Sequence, residues 1–142
     1  MAYTIEKVTV WSGTVKDRPG GLAEKLNVLT EAGANLEFLS ARRARRGTGM
    51  VFMAPIKGAR RMQAAKSVGL AKSDELHRLR VEGPDKPGLG AIMANAIADE
   101  GINLRGLSAA TIGKRCIVYM AFDTVKDVAK GRQVLKKVLP AK

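Results

Sequence analysis

Apolar residues alternate with polar ones, or recur at helical spacing, along the whole chain. Residues 7–12 and 77–82 are β-prone, the second stretch with strict alternation, and both predict strands. An Asp-x-Pro-Gly segment follows each stretch. This order is typical of a helix start, because the first turn does not use the amide hydrogen that proline lacks and a carboxylate can accept its free amides. The pattern therefore predicts helices from Pro19 and Pro87.

The rest of each half continues in the same order. Gly33 and Gly101 stand where a left-handed glycine ends a helix. The next predicted elements are two hairpins, residues 36–44 with 50–56 and 104–112 with 116–122, and two helices, residues 59–68 and 126–138. Each half is thus β-α-β-β-α, the first five elements of a ferredoxin-like βαββαβ sandwich, an α+β fold with an antiparallel sheet and helices on one face. A sixth strand is not evident; either it is vestigial or it comes from the partner repeat.

The two halves are copies of one unit. Asp17-Arg18-Pro19-Gly20 recurs as Asp85-Lys86-Pro87-Gly88, at an offset of 68 residues. Over residues 17–41 the offset holds without a gap, and eleven of 25 aligned positions are identical. No Pro/Gly/Ser linker separates the copies. The repeat predicts two small domains, residues 1–72 and 73–142.

The positive charge of the chain is unevenly placed. Its 142 residues carry a formal net charge of +12. Between residues 38 and 73 there is no acid, and the cations are Arg42, Arg43, Arg45, Arg46, Lys57, Arg60, Arg61, Lys66 and Lys72. An anionic partner is expected to meet this stretch first.

The residue inventory argues against an enzyme. With one cysteine, Cys116, and one histidine, His77, a single chain has no internal disulfide, no Cys/His zinc site and no Cys-His or Ser-His triad. No carboxylate pair has a spacing that suggests acid–base work. We expect no catalytic activity, no cofactor and no metal, although an active site shared between chains would escape this reasoning.

Neither export nor membrane insertion is expected. The longest wholly apolar run, residues 117–122, is far shorter than the roughly 18 residues that a spanning helix needs. The N-terminus lacks the basic-then-apolar order of a signal peptide. The simplest expectation is a cytoplasmic protein.

Two motifs, each present twice at a constant offset, carry a family resemblance. Asp-x-Pro-Gly opens a helix, and Gly-x-Asn-Leu, with Asn35 and Asn103, opens the following strand. A βαββα(β) unit with these motifs resembles the ACT domain, here over nearly the whole chain. ACT domains are regulatory modules that most often bind amino acids and pair side by side. The resemblance implies an allosteric regulatory protein without a catalytic domain, which binds an amino acid, forms a homodimer and acts on a protein partner.

The same resemblance implies two pseudo-equivalent ligand sites between the repeats. Since each element reverses the chain, the Asp loop and the asparagine lie at opposite ends of a unit, so a pseudo-twofold would pair the loop of one repeat with the asparagine of the other. Helix N-termini suit a carboxylate, and an aspartate can accept from an ammonium. The candidate ligand-binding residues are Asp17, Arg18 and Gly20 with Asn103, and Asp85, Lys86 and Gly88 with Asn35.

Simpler interpretations of these residues stay open. The Asp loops can be helix caps, and the asparagines can be turn residues behind a helix-ending glycine. ACT domains that bind serine-like effectors often have a histidine two residues before an asparagine in this loop. Val15 and Gly83 precede Asp17 and Asp85 by two residues here, so the resemblance names no particular amino acid.

Nucleic-acid binding is the competing function, because an RNA-recognition motif has the same element order. Residues 46–53 follow its basic-Gly-aromatic-Gly-aromatic frame. Thr48, Met50 and Met53 stand where base-stacking rings should be, which argues against selective RNA readout. Nonspecific attraction of phosphates to the basic hairpin around Arg42–Arg46 needs only charge and remains the alternative function.

Overall fold

A computed structural model of the protein describes residues 2–72 and 77–140. The described residues form two compact units, residues 9–72 (the first unit) and residues 2–8 with 77–140 (the second unit). In chain order the elements are β1 (Thr4–Val8), β2 (Trp11–Lys16), α1 (Gly21–Glu31), β3 (Phe38–Arg45), β4 (Thr48–Ala54), α2 (Ala59–Ser67), β5 (Ala71–Lys72), β6 (His77–Pro84), α3 (Leu89–Asp99), β7 (Leu104–Ile112), β8 (Arg115–Phe122) and α4 (Val125–Val138).

The first unit is an antiparallel sheet with strand order β3-β4-β2-β5, covered by α1 and α2. Along β4, Val51 and Met53 are fully buried, whereas Met50 and Phe52 between them are partly exposed. This alternation places one face of the strand in the core beneath the helices. Leu29 of α1 and Ala65 of α2 contribute to the same core.

The second unit repeats this architecture with strand order β1-β6-β8-β7, covered by α3 and α4. Leu79, Met120 and Phe122 from the strands are buried against Ile97 of α3 and Leu135 of α4. Both units are therefore α+β ferredoxin-like sandwiches, which confirms the predicted fold class. Within the described ranges no helix is long and apolar enough to cross a membrane.

The closing strand differs between the units, and both of the expected alternatives occur. In the first unit it is vestigial: β5 has two residues, which pair with Trp11 and Ser12 of β2. In the second unit it comes from the other end of the chain, because β1 pairs antiparallel with β6 from Thr4↔Glu82 to Val8↔Arg78. Residues 4–8, which the repeat groups with residues 1–72, thus supply a strand to the sheet of the second unit.

The predicted first strand over residues 7–12 is wrong in its bounds. Two strands stand there instead, one ending at Val8 and one beginning at Trp11, since the chain leaves the second unit's sheet and enters the first unit's at residues 9–10. The β-prone stretch that suggested one strand contains the end of β1 and the start of β2. Tyr3 and Ile5, both buried in the second unit, were outside the prediction.

The helix starts also need a correction. α1 and α3 begin at Gly21 and Leu89, two residues after the prolines, and left-handed Gly20 and Gly88 cap them without any side-chain hydrogen bond. Asp17 and Asp85 are therefore not capping residues, because a tight turn separates each from the helix. The helix ends are as predicted: Gly33 (φ 87°) and Gly101 (φ 73°) are left-handed.

The hairpins and second helices confirm the sequence prediction to within about two residues. One irregularity distinguishes the two hairpins near their tips. The register of β3 with β4 shifts between Arg43 and Arg45, which leaves Ala44 as an extra residue in the first repeat. Beyond this point Gly49, not Thr48, corresponds to Cys116 of the second repeat, since Arg43↔Gly49 matches Thr111↔Cys116.

Candidate functional site

Each Asp loop lies against the tip of the hairpin in its own unit. The Asp17 amide donates to the Gly47 carbonyl at 3.2 Å, and the Asp85 amide donates to the Lys114 carbonyl at 2.8 Å. The asparagines follow α1 and α3, whose eleven residues span about 16 Å. The structure therefore separates loop and asparagine within each unit, as the topology predicts, and both asparagines are exposed.

In the second unit the Asp loop opens onto a cleft of about 370 Å³, called here the second-repeat cleft. The exposed residues Asp85, Lys86 and Gly88, just before α3, line it and are called here its mouth. Its walls are apolar, with Leu89 and Met93 from α3, Leu107 and Ala109 from β7, and Cys116 and Val118 from β8.

Strand register explains why this wall is apolar. Leu107, Ala109 and Thr111 of β7 stand opposite Met120, Val118 and Cys116 of β8, all of which are buried on the helix-covered face. Among the described strands β7 is at the edge of this sheet, and its Leu107 is 46% exposed. The cleft is thus the part of the sandwich core that the helices leave open at the edge.

Two residues of opposite charge, adjacent in the sequence, line the mouth. Asp85 and Lys86 are both exposed, and among the described residues neither side chain has a recorded hydrogen bond or ion pair. The carboxylate of Asp85 can pair with the ammonium of a zwitterion, and the ammonium of Lys86 can pair with its carboxylate. The arrangement can therefore orient an amino acid and enclose its side chain.

Cys116 lies on the cleft wall as a buried free thiol. Burial raises the pKa of this thiol above its usual range, and the negative charge of Asp85 raises it further. Because a thiol is a nucleophile only as the thiolate, Cys116 serves as an apolar surface at neutral pH.

The equivalent place in the first unit is filled by an arginine. Arg43, at the register position of Thr111, donates from its Nε to the Asp17 carboxylate. Lys25, at the repeat position of Met93, donates its ammonium to the Val68 carbonyl at the end of α2. The Asp17 loop thus already has a cationic partner from its own unit.

A cleft of about 330 Å³ does occur in the first unit, but its lining is different. Lys16, Glu24, Lys25 and Thr48 border it, and Asp17 does not. Its walls are more polar than apolar, in contrast to the second-repeat cleft. The two Asp loops are therefore equivalent in backbone and unlike in surroundings.

Several cations of the first repeat have structural partners. Arg60 donates to the Glu31 carbonyl at 3.0 Å and Arg61 to the Gly33 carbonyl at 2.8 Å, so α2 caps the C-terminus of α1. Arg18 pairs with Glu24 at 3.1 Å. These contacts account for part of the charge excess without any external partner.

Sequence reasoning found the loop of the second-repeat cleft but missed its walls. Leu107, Thr111 and Met93 belong to predicted elements, and alternation along β7 would have placed the first two on the core face. The pairing of Arg43 with Asp17 had no signal in the sequence, because 26 residues separate the two. Within residues 2–72 and 77–140 no group of His, Cys, Asp and Glu is arranged to hold a metal ion.

The fold is similar to that of several crystal structures. A protein from Bacteroides thetaiotaomicron superposes with a TM-score of 0.77 at 18% identity, over 95% of this chain and 89% of that one. The ligand-free regulatory subunit of aspartate kinase from Thermus thermophilus has a TM-score of 0.67 at 14% identity, over 97% of both chains. E. coli aspartokinase III, in complex with aspartate and ADP, has a TM-score of 0.64 at 12% identity, over 97% of this chain and 33% of that one.

No family model and no curated protein matches the chain. At identities below 20%, the structural similarities establish the fold.

Proposed function

The chain consists of two units with the ACT fold, and from this premise we propose that it is a regulatory protein that binds an amino acid and transmits its occupancy to a protein partner. The observation that carries the proposal is the second-repeat cleft, whose lining includes the exposed and successive residues Asp85 and Lys86. Such a pair complements a zwitterion, and the cleft offers an apolar surface to its side chain.

The further polar contacts are proposed from the repeat. Asn35 is the proposed partner of the loop Asp85, Lys86 and Gly88, and Asn103 that of the loop Asp17, Arg18 and Gly20. An asparagine amide supplies a donor and an acceptor, which suits a ligand with both an ammonium and a carboxylate. Binding between the repeats would alter how they pack, and that change would be the signal to the partner.

The structural relatives support a regulatory role and do not define it. Two of them bear names that refer to aspartate kinase, one as its regulatory subunit and one as the enzyme with aspartate bound. We propose the same general role here, without catalysis by this chain. We also propose a homodimer, since β7 is an edge strand that exposes Leu107 and Ile112 and has no charge from residue 106 to residue 112.

A thermal-shift screen against the twenty amino acids tests the proposed function. A ligand at 100 times its dissociation constant adds about 2.7 kcal/mol of stability, which the assay detects as a rise in Tm. We expect at least one amino acid to raise the Tm in a concentration-dependent way. Asn35→Ala should then lower the affinity for that amino acid. Unchanged affinity in both Asn35→Ala and Asn103→Ala would refute the asparagine contacts.

The alternative function is nonspecific binding of nucleic acid or another polyanion at the basic hairpin. Arg42, Arg45 and Arg46 are exposed there, whereas Arg43 is paired with Asp17. Such binding would weaken steeply with salt, because it depends on the release of counterions. If no amino acid changes the Tm while labelled RNA or DNA binds with a steep salt slope, this alternative replaces the regulatory function.

A further inference from the structure

The two Asp loops differ in whether their own unit already satisfies them. Asp17 accepts from Arg43, and only 29% of its side-chain surface is exposed. Asp85 has no recorded side-chain partner among the described residues and lies at the mouth of the second-repeat cleft. We propose that the chain has one competent ligand site, the second-repeat cleft, and that this site takes an amino acid with an apolar side chain.

This inference rests on the proposed function and narrows it in two ways. It reduces two equivalent sites to one, and it names the ligand class. The first step follows from competition: the Arg43 guanidinium stands where a ligand ammonium would meet Asp17, and a ligand would have to displace an intramolecular partner. At the equivalent position Thr111 is too short and uncharged, so Asp85 stays available.

The ligand class follows from the walls. Met93, Cys116 and Val118 are at most 6% exposed and offer only carbon and sulfur surface to the cleft. A charged side chain placed there would lose its hydration without a partner, which is costly. Leu107, 46% exposed, would gain cover from an apolar side chain instead.

The polar mouth determines which charged groups the ligand carries. Asp85 provides for an ammonium, while Lys86 provides for a carboxylate. A ligand that lacks either group loses one charge-assisted interaction. The volume of about 370 Å³ is at the small end of ligand pockets, which fits a single amino acid rather than a nucleotide.

Isothermal titration calorimetry of the full chain provides the test. The probes are L-leucine, L-valine and L-methionine, with L-aspartate and L-lysine as polar comparators. Two further probes, 4-methyl-2-oxopentanoate and 3-methylbutylamine, are leucine analogues that lack the ammonium and the carboxylate respectively. We expect one apolar amino acid bound per chain, with the polar probes and both analogues at least tenfold weaker.

Matched variants separate the two loops. Asp85→Asn should weaken the best apolar probe about 10- to 100-fold, as expected for a lost hydrogen bond to a charged group, whereas Asp17→Asn should leave its affinity unchanged. Thr111→Arg places in the second repeat the arginine that occupies the first, and should reduce binding at least tenfold. Ser108→Arg adds the same charge to β7 on the opposite face and serves as its control. Urea unfolding midpoints check that each variant is folded.

The outcomes distinguish this inference from the function beneath it. If no amino acid binds, the proposed function fails and the inference fails with it. If an amino acid binds at two per chain, if Asp17→Asn weakens it as much as Asp85→Asn, or if folded Thr111→Arg binds normally, the single site is wrong and the function stands. If L-aspartate or L-lysine binds more tightly than the apolar probes, the ligand class is wrong.

Discussion

The two repeats close their sheets in different ways. The second unit has a five-residue closing strand, β1. Ile5 of this strand and Tyr3 just before it are buried in the core. The first unit has only the two residues of β5, and the ammonium of Lys72 lies 5.9 Å from the centre of the Trp11 ring beside it. In both units a strand pairs with the free side of the strand that precedes the first helix, but this closing strand can be short and can come from elsewhere in the chain.

The long closing strand is tied to its unit by more than its ladder. The Tyr3 hydroxyl donates to the Pro84 carbonyl at 2.7 Å, and its ring lies where a side chain at Gly83 would be, since a Cβ there would stand 2.3 Å from the ring. Arg132 of α4 donates to the Ile5 carbonyl at 3.2 Å. The second unit should therefore depend on residues 2–8 much more than the first unit depends on β5.

Deletion of residues 2–8 is the strongest test of this difference. It removes two buried side chains and one side of the β6 ladder, and we expect the second unit to lose roughly 5 kcal/mol or more. Hydrogen exchange followed by mass spectrometry should show lost protection in β6 and β8 and retained protection in β2 and β4. Lys72→Ala in β5 is the control, with an expected cost below about 1 kcal/mol. Equal loss of protection in both units after the deletion would contradict the comparison.

A second difference lies under the last helix of each repeat. The seventh residue is Ala65 in α2 and Gly131 in α4, and both are buried. A Cβ on Gly131 would stand 2.9 Å from the Phe122 ring, so the second unit accommodates a phenyl group where its helix has no side chain. We expect Gly131→Ala to destabilise the protein by about 1–3 kcal/mol, although alanine is the better helix former.

Urea unfolding measures that loss, and a second substitution identifies its cause. Phe122→Leu removes the ring atoms that clash. In that background Gly131→Ala should be neutral or stabilising. A loss of the same size in both backgrounds would show that the ring is not the reason.

Alkaline pH should destabilise the two units unequally, and this is the smallest of the expected effects. Burial raises the pKa of Tyr3 and of Cys116 above their ordinary values of 10.0 and 9.0, and both residues belong to the second unit. The folded state keeps these protons to higher pH than the unfolded chain does. Their contribution to stability is therefore complete below pH 9 and is lost as the pH rises toward the folded-state pKa values.

Local probes can separate the units in this experiment. Fluorescence of Trp11, the one tryptophan of the sequence, reports on the first unit, and hydrogen exchange in β6 and β8 reports on the second. Between pH 8 and pH 10.5 we expect the second unit to weaken first. Cys116→Ala should reduce that loss, because the variant has no thiol to titrate. Earlier weakening at Trp11 would oppose the assignment.

Local signals in the sequence were enough for most of the fold. The helix-ending glycines, the hairpins and the second helices follow from turn chemistry and periodicity, which depend on neighbouring residues. The source of the closing strand does not, because Ile5 pairs with Val81 across most of the chain. A pairing of that range leaves no trace in a window of a few residues.

The candidate site divides along the same line. Asp85, Lys86 and Gly88 belong to one contiguous motif, which the sequence shows directly, and all three line the second-repeat cleft. Its wall joins α3, β7 and β8, so it exists only after the unit has folded. The role of Arg43 depends on its contact with Asp17, 26 residues away, and the gapless alignment of residues 17–41 ends before Arg43.

The position of β1 gives the second unit a permuted chain order. Read from β6 through α4 and then to β1, its elements run β-α-β-β-α-β, the complete ferredoxin-like sequence with its last strand moved to the front. The Tyr3 amide donates to the Pro140 carbonyl at 2.9 Å, so the start and the end of the described chain meet within this unit. In topology the first unit is therefore inserted between β1 and β6, the last and first strands of this permuted second unit. The two repeats are neighbours in the sequence, but in topology one is the host and the other the insert.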